Sequence, residues 1–206
     1  MPNWMHIPLP ELFAVLATVA FATGLNVYAT VVALGLLARF GHVPLPSALL
    51  LLESWPVIAA GAVLFVIEFF ADKIPGFDLI WSALHTFIRV PAAALLAYGA
   101  TRQLSPGEQL LAAFFGAAIA LAAHGGKTAL RAAVTPSPEP FSNITLSLGE
   151  DVLAVSLTWL ATRHPYAAAT IVLLLVLIIL ALARIVFRAL RLLFRGAENE
   201  VEGHQA

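Results

Sequence analysis

The chain alternates long apolar stretches with short segments rich in proline and glycine, and few folds are open to such a pattern. About 20 apolar residues in helical conformation cross the hydrocarbon core of a bilayer. On that measure the sequence predicts spans at Leu12–Arg39, Trp55–Asp72, Phe77–Ala100, Gly107–Val134, Asn143–Thr162 and Tyr166–Phe194. The segments between them, "GHVPLPS", "KIPGFD", "RQLSPGE", "TPSPEPFSN" and "TRHPY", hold prolines and glycines that stop or prevent helices. The expected fold class is all-α: a polytopic transmembrane helix bundle of about six spans. Residues 1–195 form a single transmembrane domain, and "GAENEVEGHQA" at 196–206 reads as a disordered polar tail.

Composition agrees, with 61% hydrophobic and 11% charged residues and a mean hydropathy of +0.92, outside the range of soluble domains. A net charge of −1 and the lack of any basic stripe interleaved with aromatics exclude nucleic-acid binding. Without cysteine there are no disulfides, thiol nucleophiles or iron–sulfur ligands. No Lys or Arg precedes the apolar run that begins near Leu12, so it reads as a first membrane helix and not as a signal peptide. That first span is longer than a crossing needs and has Gly24 near its middle. A tilt, a kink or a re-entrant hairpin would each fit. "PSALLLLES" is too short to cross and suits an interfacial helix or an extension of the next span.

Lys and Arg near span ends set the orientation. Arg184, Arg188, Arg191 and Arg195, spaced 4, 3 and 4, share one helical face and place the C-terminal end in the cytoplasm. With an even span count the N-terminus joins it, and Arg39, Arg102 and Arg163 lie outside. The arginine stripe suits either an ordinary positive-inside stop or an anchor on anionic lipid headgroups. Surfaces this rich in Ala and Gly would also suit close packing in a homodimer.

Ionisable groups within spans are costly and normally face a bundle interior with partners. Here they form three clusters. Glu68 and Asp72 lie four apart, followed by Lys73, and Asp78, Ser82, His85 and Arg89 continue at spacings of 4, 3 and 4. His124, Lys127 and Arg131 share one face of the fourth span beside Gly125 and Gly126, while Asn143, Ser147 and Glu150, with Asp151 adjoining, stripe the fifth. In "TGLNVYAT" an unwound turn would offer backbone amides and the Asn26 side chain, with Tyr28, to a ligand. Asn26 hydrogen-bonded to a neighbouring helix fits equally. A shift of 101 residues sets Gly24 on Gly125 and Asn26 on Lys127, a weak match that suggests an inverted repeat.

Enzyme signatures are sparse: there is no His-Glu-x-x-His, "HGGKT" lacks the rest of a phosphate-binding loop, and no G-x-S-x-G occurs. Carboxylate pairs such as Glu68/Asp72 or Glu150/Asp151 could hold a divalent metal through oxygen. "Asn143-Ile-Thr145" matches a glycosylation acceptor but falls on the expected cytoplasmic side.

The segments "GLNVYATVVALGLLARFG", "FFADKIPGFDLIWSALHTFIRVPAAALLA" and "HGGKTALRAAVTPSPEPFSN" resemble a family of small bacterial multi-spanning membrane proteins known as a domain of unknown function, over about residues 10 to 165. The resemblance implies a helical inner-membrane protein and assigns no residue a role. From the residues themselves, the leading expectation is a transporter or lipid-handling protein for a small anionic or phosphate-bearing substrate. Asn26, Tyr28, His124, Lys127 and Arg131 would bind that substrate, Asp78, His85, Glu150 and Asp151 would couple protons or a cation, and Glu68, Asp72, Lys73 and Arg89 would pair structurally. No cofactor and no catalytic residue is expected. The competing classes are an intramembrane metal-dependent enzyme on a lipid-phosphate and a structural or assembly protein whose charges pair internally.

Overall fold

The computed structural model describes residues 8–72, 74, 77–134 and 140–203. Its elements are α1 (Leu9–Leu25), α2 (Val27–Gly41), a 3₁₀ helix (Ser47–Glu53), α3 (Trp55–Ala71), α4 (Phe77–Ala100), α5 (Pro106–Val134), α6 (Pro140–Arg163) and α7 (Pro165–Gly203). Prolines in the first turns of α1, α3, α5, α6 and α7 sit where a missing N–H costs nothing. At the start of α5 the sequence Ser-Pro-Gly-Glu closes a capping box: Ser105 Oγ accepts from the Glu108 amide, and the Ser105 amide donates to Glu108 Oε2 at 2.9 Å. Each expected span from Trp55 onward corresponds to one helix. The segment "SALLLLE" is the 3₁₀ helix, which meets α3 at 65°. The backbone of α7 continues as helix beyond Arg195 to Gly203.

The first expected span is two helices, and they do not cross together. Asn26 alone is extended, at φ −151° and ψ 106°. Its backbone N–H still closes α1 onto Ala22 O at 2.9 Å, while its side-chain Oδ1 accepts from the Ala29 amide at 3.0 Å and so caps α2. Val19 of α1 and Leu34 of α2 pack in one cluster with Ala161 and Ala168. Further along, Leu12 and residues Val43 to Pro46 line one cleft. Helix α2 therefore returns beside α1 to the end of the bundle from which α1 set out, and the pair is a helical hairpin with its tip at Asn26. The break is two residues past Gly24.

Among the described residues four helices, Ile80–Ala100, Pro106–Arg131, Ile144–Arg163 and Pro165–Ala189, are long and apolar enough to cross a membrane, and the bent pair ending in α3 brings the number to five if it is one span. The chain is a multi-pass membrane protein by the character of these helices. With the hairpin returning to its own side, α1 begins at the end opposite the one that α7 leaves. The even count that put both ends of the chain on one side treated residues 12–39 as one crossing, so that step no longer follows.

Burial is inverted relative to a soluble domain. Arg89 and Arg131 are among the largest fully buried side chains, while Phe87, Leu95, Phe114, Leu173 and Leu177 face outward. An apolar solvent explains both facts, since outward leucine costs nothing in lipid and charge must gather inside. Helix α1 is the inner element, buried from Leu16 through Leu25 except for Ala17, and α7 is the outer one, with Ala168 and Val172 alone among its described side chains in the core.

Small residues set the distance between α1 and α5. A Cβ at Gly24 would lie 2.8 Å from both Ala120 Cα and Ala123 Cβ. Gly24→Ala is therefore expected to destabilise by about 1–3 kcal/mol through overpacking. Gly125→Ala, where a Cβ meets nothing within 4 Å, is expected to be neutral or slightly stabilising, and melting temperatures of the two variants in detergent check the contrast. Gly126, by comparison, packs on Ile179 of α7. Gly24 and Gly125 thus lie on helices that run the same way and in different surroundings, which is not the relation an inverted repeat requires.

Candidate functional site

Turning the chain at Asn26 creates a helix C-terminus and a helix N-terminus inside the bundle, and each leaves backbone groups without helical partners. The last carbonyls of α1 are met by cations. Lys127 Nζ donates to Leu25 O at 3.1 Å and Arg89 to Gly24 O at 3.4 Å, as suits the negative end of a helix dipole. At the start of α2 the Asn26 side chain caps the helix, and its Nδ2 donates to Asp151 Oδ1 on α6 at 2.8 Å. Cations from α4 and α5 and an acid from α6 therefore grip opposite sides of one tip.

Behind the tip the cations are matched to carboxylates. Arg89 pairs with Glu68. Lys127 lies 3.0 Å from Glu150 Oε2, 3.4 Å from Asp72 Oδ2 and 4.0 Å from Glu68 Oε1. Arg131 reaches Asp72 at 2.7 Å and Glu150 at 2.6 Å. All these side chains are buried. The i, i+3 and i, i+4 spacings on α4 and α5 put them on one face of each helix, and the ends of α3 and α6 bring the acids opposite.

The histidines have definite hydrogen-bond roles. Arg89, a donor only, lies 2.9 Å from His124 Nδ1, so Nδ1 accepts and His124 Nε2–H donates to Thr86 Oγ1 at 2.7 Å. Thr86 in turn donates to Ser82 O. His124 is thus neutral here, and a third cation beside Lys127 and Arg131 for an anionic ligand is not what this geometry offers. His85 lies 2.9 Å from Trp81 O through Nδ1 and 3.2 Å from the Tyr28 hydroxyl through Nε2. Nδ1–H therefore donates to the carbonyl and Nε2 accepts from Tyr28.

Asp151 stands apart. Among the described residues it forms no ion pair, its Oδ1 has the neutral Asn26 amide, and its buried Oδ2 has no partner. Among the described residues four buried carboxylates, Glu68, Asp72, Glu150 and Asp151, face three buried cations, Arg89, Lys127 and Arg131, and Asp151 is the one of these acids without an ion pair. Ser147, one turn before it on α6, is also buried, with no partner for its hydroxyl among the described residues.

Of the expected site residues, the structure brings together Asn26, Tyr28, Glu68, Asp72, His85, Arg89, His124, Lys127, Arg131, Glu150 and Asp151. Lys73 and the side chains of Asp78, Asn143 and Arg195 lie outside the described residues. No group of three or more His, Asp or Glu that could hold a metal is found among the described residues, because Glu68, Asp72 and Glu150 are turned toward Arg and Lys. Two contributors escape a reading of motifs: Thr86, half-buried and off the charged stripe, and the carbonyls of Gly24 and Leu25. The lone Asn inside a long apolar run was the signal for the carbonyls, since a cap there implies a helix end.

The family model described as a domain of unknown function, DUF4126, matches residues 13–184. The chain belongs to that family. The DUF4126 match takes in the hairpin, every helix of the bundle and the whole buried cluster, and it stops at Arg184, where the basic stripe of α7 begins. No curated protein and no solved structure matches the chain.

Proposed function

We propose that this DUF4126 protein is a proton-coupled transporter of the bacterial inner membrane and that Asp151 is the group that carries the proton. The observation behind this reading is the surplus acid at the hairpin tip. A lone carboxylate held away from water is neutralised by a proton or a counter-ion, and intramembrane acids of this kind mark proton pathways. Taking up a proton at the free Asp151 Oδ2 removes the negative charge that Asn26 meets through Oδ1, and Asn26 is the single residue on which the hairpin turns. The ion pairs of Arg89, Lys127 and Arg131 then hold the tip, and Asp151 is the movable part.

The cargo suggested by the basic stripe is a small carboxylate or phosphate. Lys127 and Arg131 are already met by Asp72 and Glu150, so such an anion enters only by exchange with one of those carboxylates. For orientation, the exposed Arg184, Arg188 and Arg191 on one face of α7 favour the cytoplasm and contact with anionic headgroups, which puts the start of α1, at the other end of the bundle, on the opposite side.

Purified protein reconstituted in liposomes that enclose a pH-sensitive dye tests the proposal. An inward proton gradient, applied with a panel of small carboxylates and inorganic phosphate outside, is expected to drive protein-dependent acidification in the presence of at least one of them. Acidification that never exceeds that of empty liposomes, under any gradient and with every anion, would count against it.

A further inference from the structure

The end of the hairpin remote from Asn26 holds a cavity of about 250 Å³ between α1, α2, α4 and α6, roofed by the two prolines of "VPLP". Its wall is largely apolar, with Leu12, Leu16 and Val19 on one side and Leu34 and Leu96 on another, and among the described residues that line it the polar side chains are Glu11 and Thr162. Both of these belong to the near end of the bundle, at the first turn of α1 and the last of α6. The polar side chains thus gather at the end of the cavity remote from Asn26.

Apolar cavities stay dry, and their walls lose contacts until an apolar ligand supplies them. One of about 150 Å³ accepts a benzene-sized molecule, so this one takes a chain of roughly eight to ten carbons. Its shape favours a chain over a ring, because the lining on α1 runs from Glu11 to Ala20, about 13 Å of helix. A carboxylate and a hydroxyl at the Glu11 end accept hydrogen bonds and oppose a negative head group.

We infer that this cavity binds a single linear alkyl chain of roughly eight to ten carbons, with a neutral or cationic hydrogen-bond-donating head group at Glu11 and Thr162. The site is independent of the ion-pair cluster, since its deepest residue on α1 lies six positions before Asn26. A tail of a membrane lipid and a free long-chain alcohol or amine share this chemistry.

Full-length protein in a sterol-based detergent, which has no alkyl chain to compete, is titrated with decylamine, 1-decanol and decanoate while its melting temperature is followed. The wild type is expected to rise by roughly 5–10 °C at a hundred times the dissociation constant of decylamine or decanol, and less with decanoate. Val15→Phe and Leu96→Trp, which fill the cavity, are expected to lose that rise. Glu11→Lys leaves the volume intact and should reverse the order, favouring decanoate, so it decides the matter even if both filled variants misfold. No saturable rise in the wild type, or a full rise in a folded filled variant, overturns the site. Native mass spectrometry from membranes then separates the sources. A phospholipid mass present in wild type and lost in Val15→Phe supports a lipid tail, a smaller alkyl mass lost in the same way supports a free amphiphile, and equal retention by both proteins overturns the site.

Discussion

Arg89→Ala is expected to lower stability by about 3–5 kcal/mol, because it leaves the buried Glu68 carboxylate without its cation. For a chain of this size that corresponds to a fall of roughly 10 °C in melting temperature, readable in detergent by the fluorescence of the four tryptophans. Arg89 and Glu68 both have no measurable exposure, so water cannot replace the lost partner. Arg89 also serves Gly24 O and His124 Nδ1, and both lose a donor in the variant. The double variant Glu68→Met/Arg89→Met removes both charges and should recover most of the loss, since apolar replacement of a whole buried pair is often neutral or better. A double variant as unstable as Arg89→Ala would mean that the hydrogen bonds to the hairpin tip, and not the ion pair, carry the energy.

Asp151→Asn is the counterpart with a large effect on activity and a small one on stability. The amide keeps an oxygen for the Asn26 Nδ2–H, at the position where Asp151 Oδ1 now accepts at 2.8 Å, and removes a charge that forms no ion pair among the described residues. Its stability is therefore expected to stay within about 0.5 kcal/mol of the wild type, or to rise. Proton-driven flux in liposomes is expected to fall to the background of empty liposomes. Infrared difference spectra across a pH titration supply a second readout: a carboxyl stretch that appears on protonation in the wild type should vanish in Asp151→Asn and persist in Glu150→Gln. Full proton-dependent flux in a folded Asp151→Asn protein would remove Asp151 from the mechanism. If the variant is instead strongly destabilised, Asp151 belongs with the structural ion pairs.

These two substitutions separate duties that the sequence presents as one. Read along the chain, His124, Lys127 and Arg131 form a single basic stripe, and Glu150 and Asp151 are adjacent acids of equal standing. In the folded protein His124 accepts from an arginine, Lys127 caps a helix end, Arg131 is clasped by two carboxylates, and the neighbouring acids part ways. Glu150 joins the ion pairs and Asp151 joins the hairpin. Adjacent residues on a helix point about 100° apart, so their partners come from different neighbours. Periodicity tells which side chains share a face and is silent on what that face meets.

What the amino-acid sequence determined by itself was local. Apolar run length located the crossings from Trp55 onward, proline and the Ser105–Glu108 box placed their starts, and spacing gathered the charges into stripes. Each of these depends on residues within a few turns of one another. The reversal at Asn26 was decided by tertiary structure alone. The stretch from Leu12 to Ala38 is apolar enough to run straight as one span, and a single asparagine within it is compatible with either path. Folding back leaves carbonyls and amides exposed in a medium without water, and it is tolerable only because Arg89, Lys127 and Asp151 arrive from three other helices to meet the tip. Those partners stand 65, 102 and 125 residues away in sequence, a distance at which no local pattern carries information.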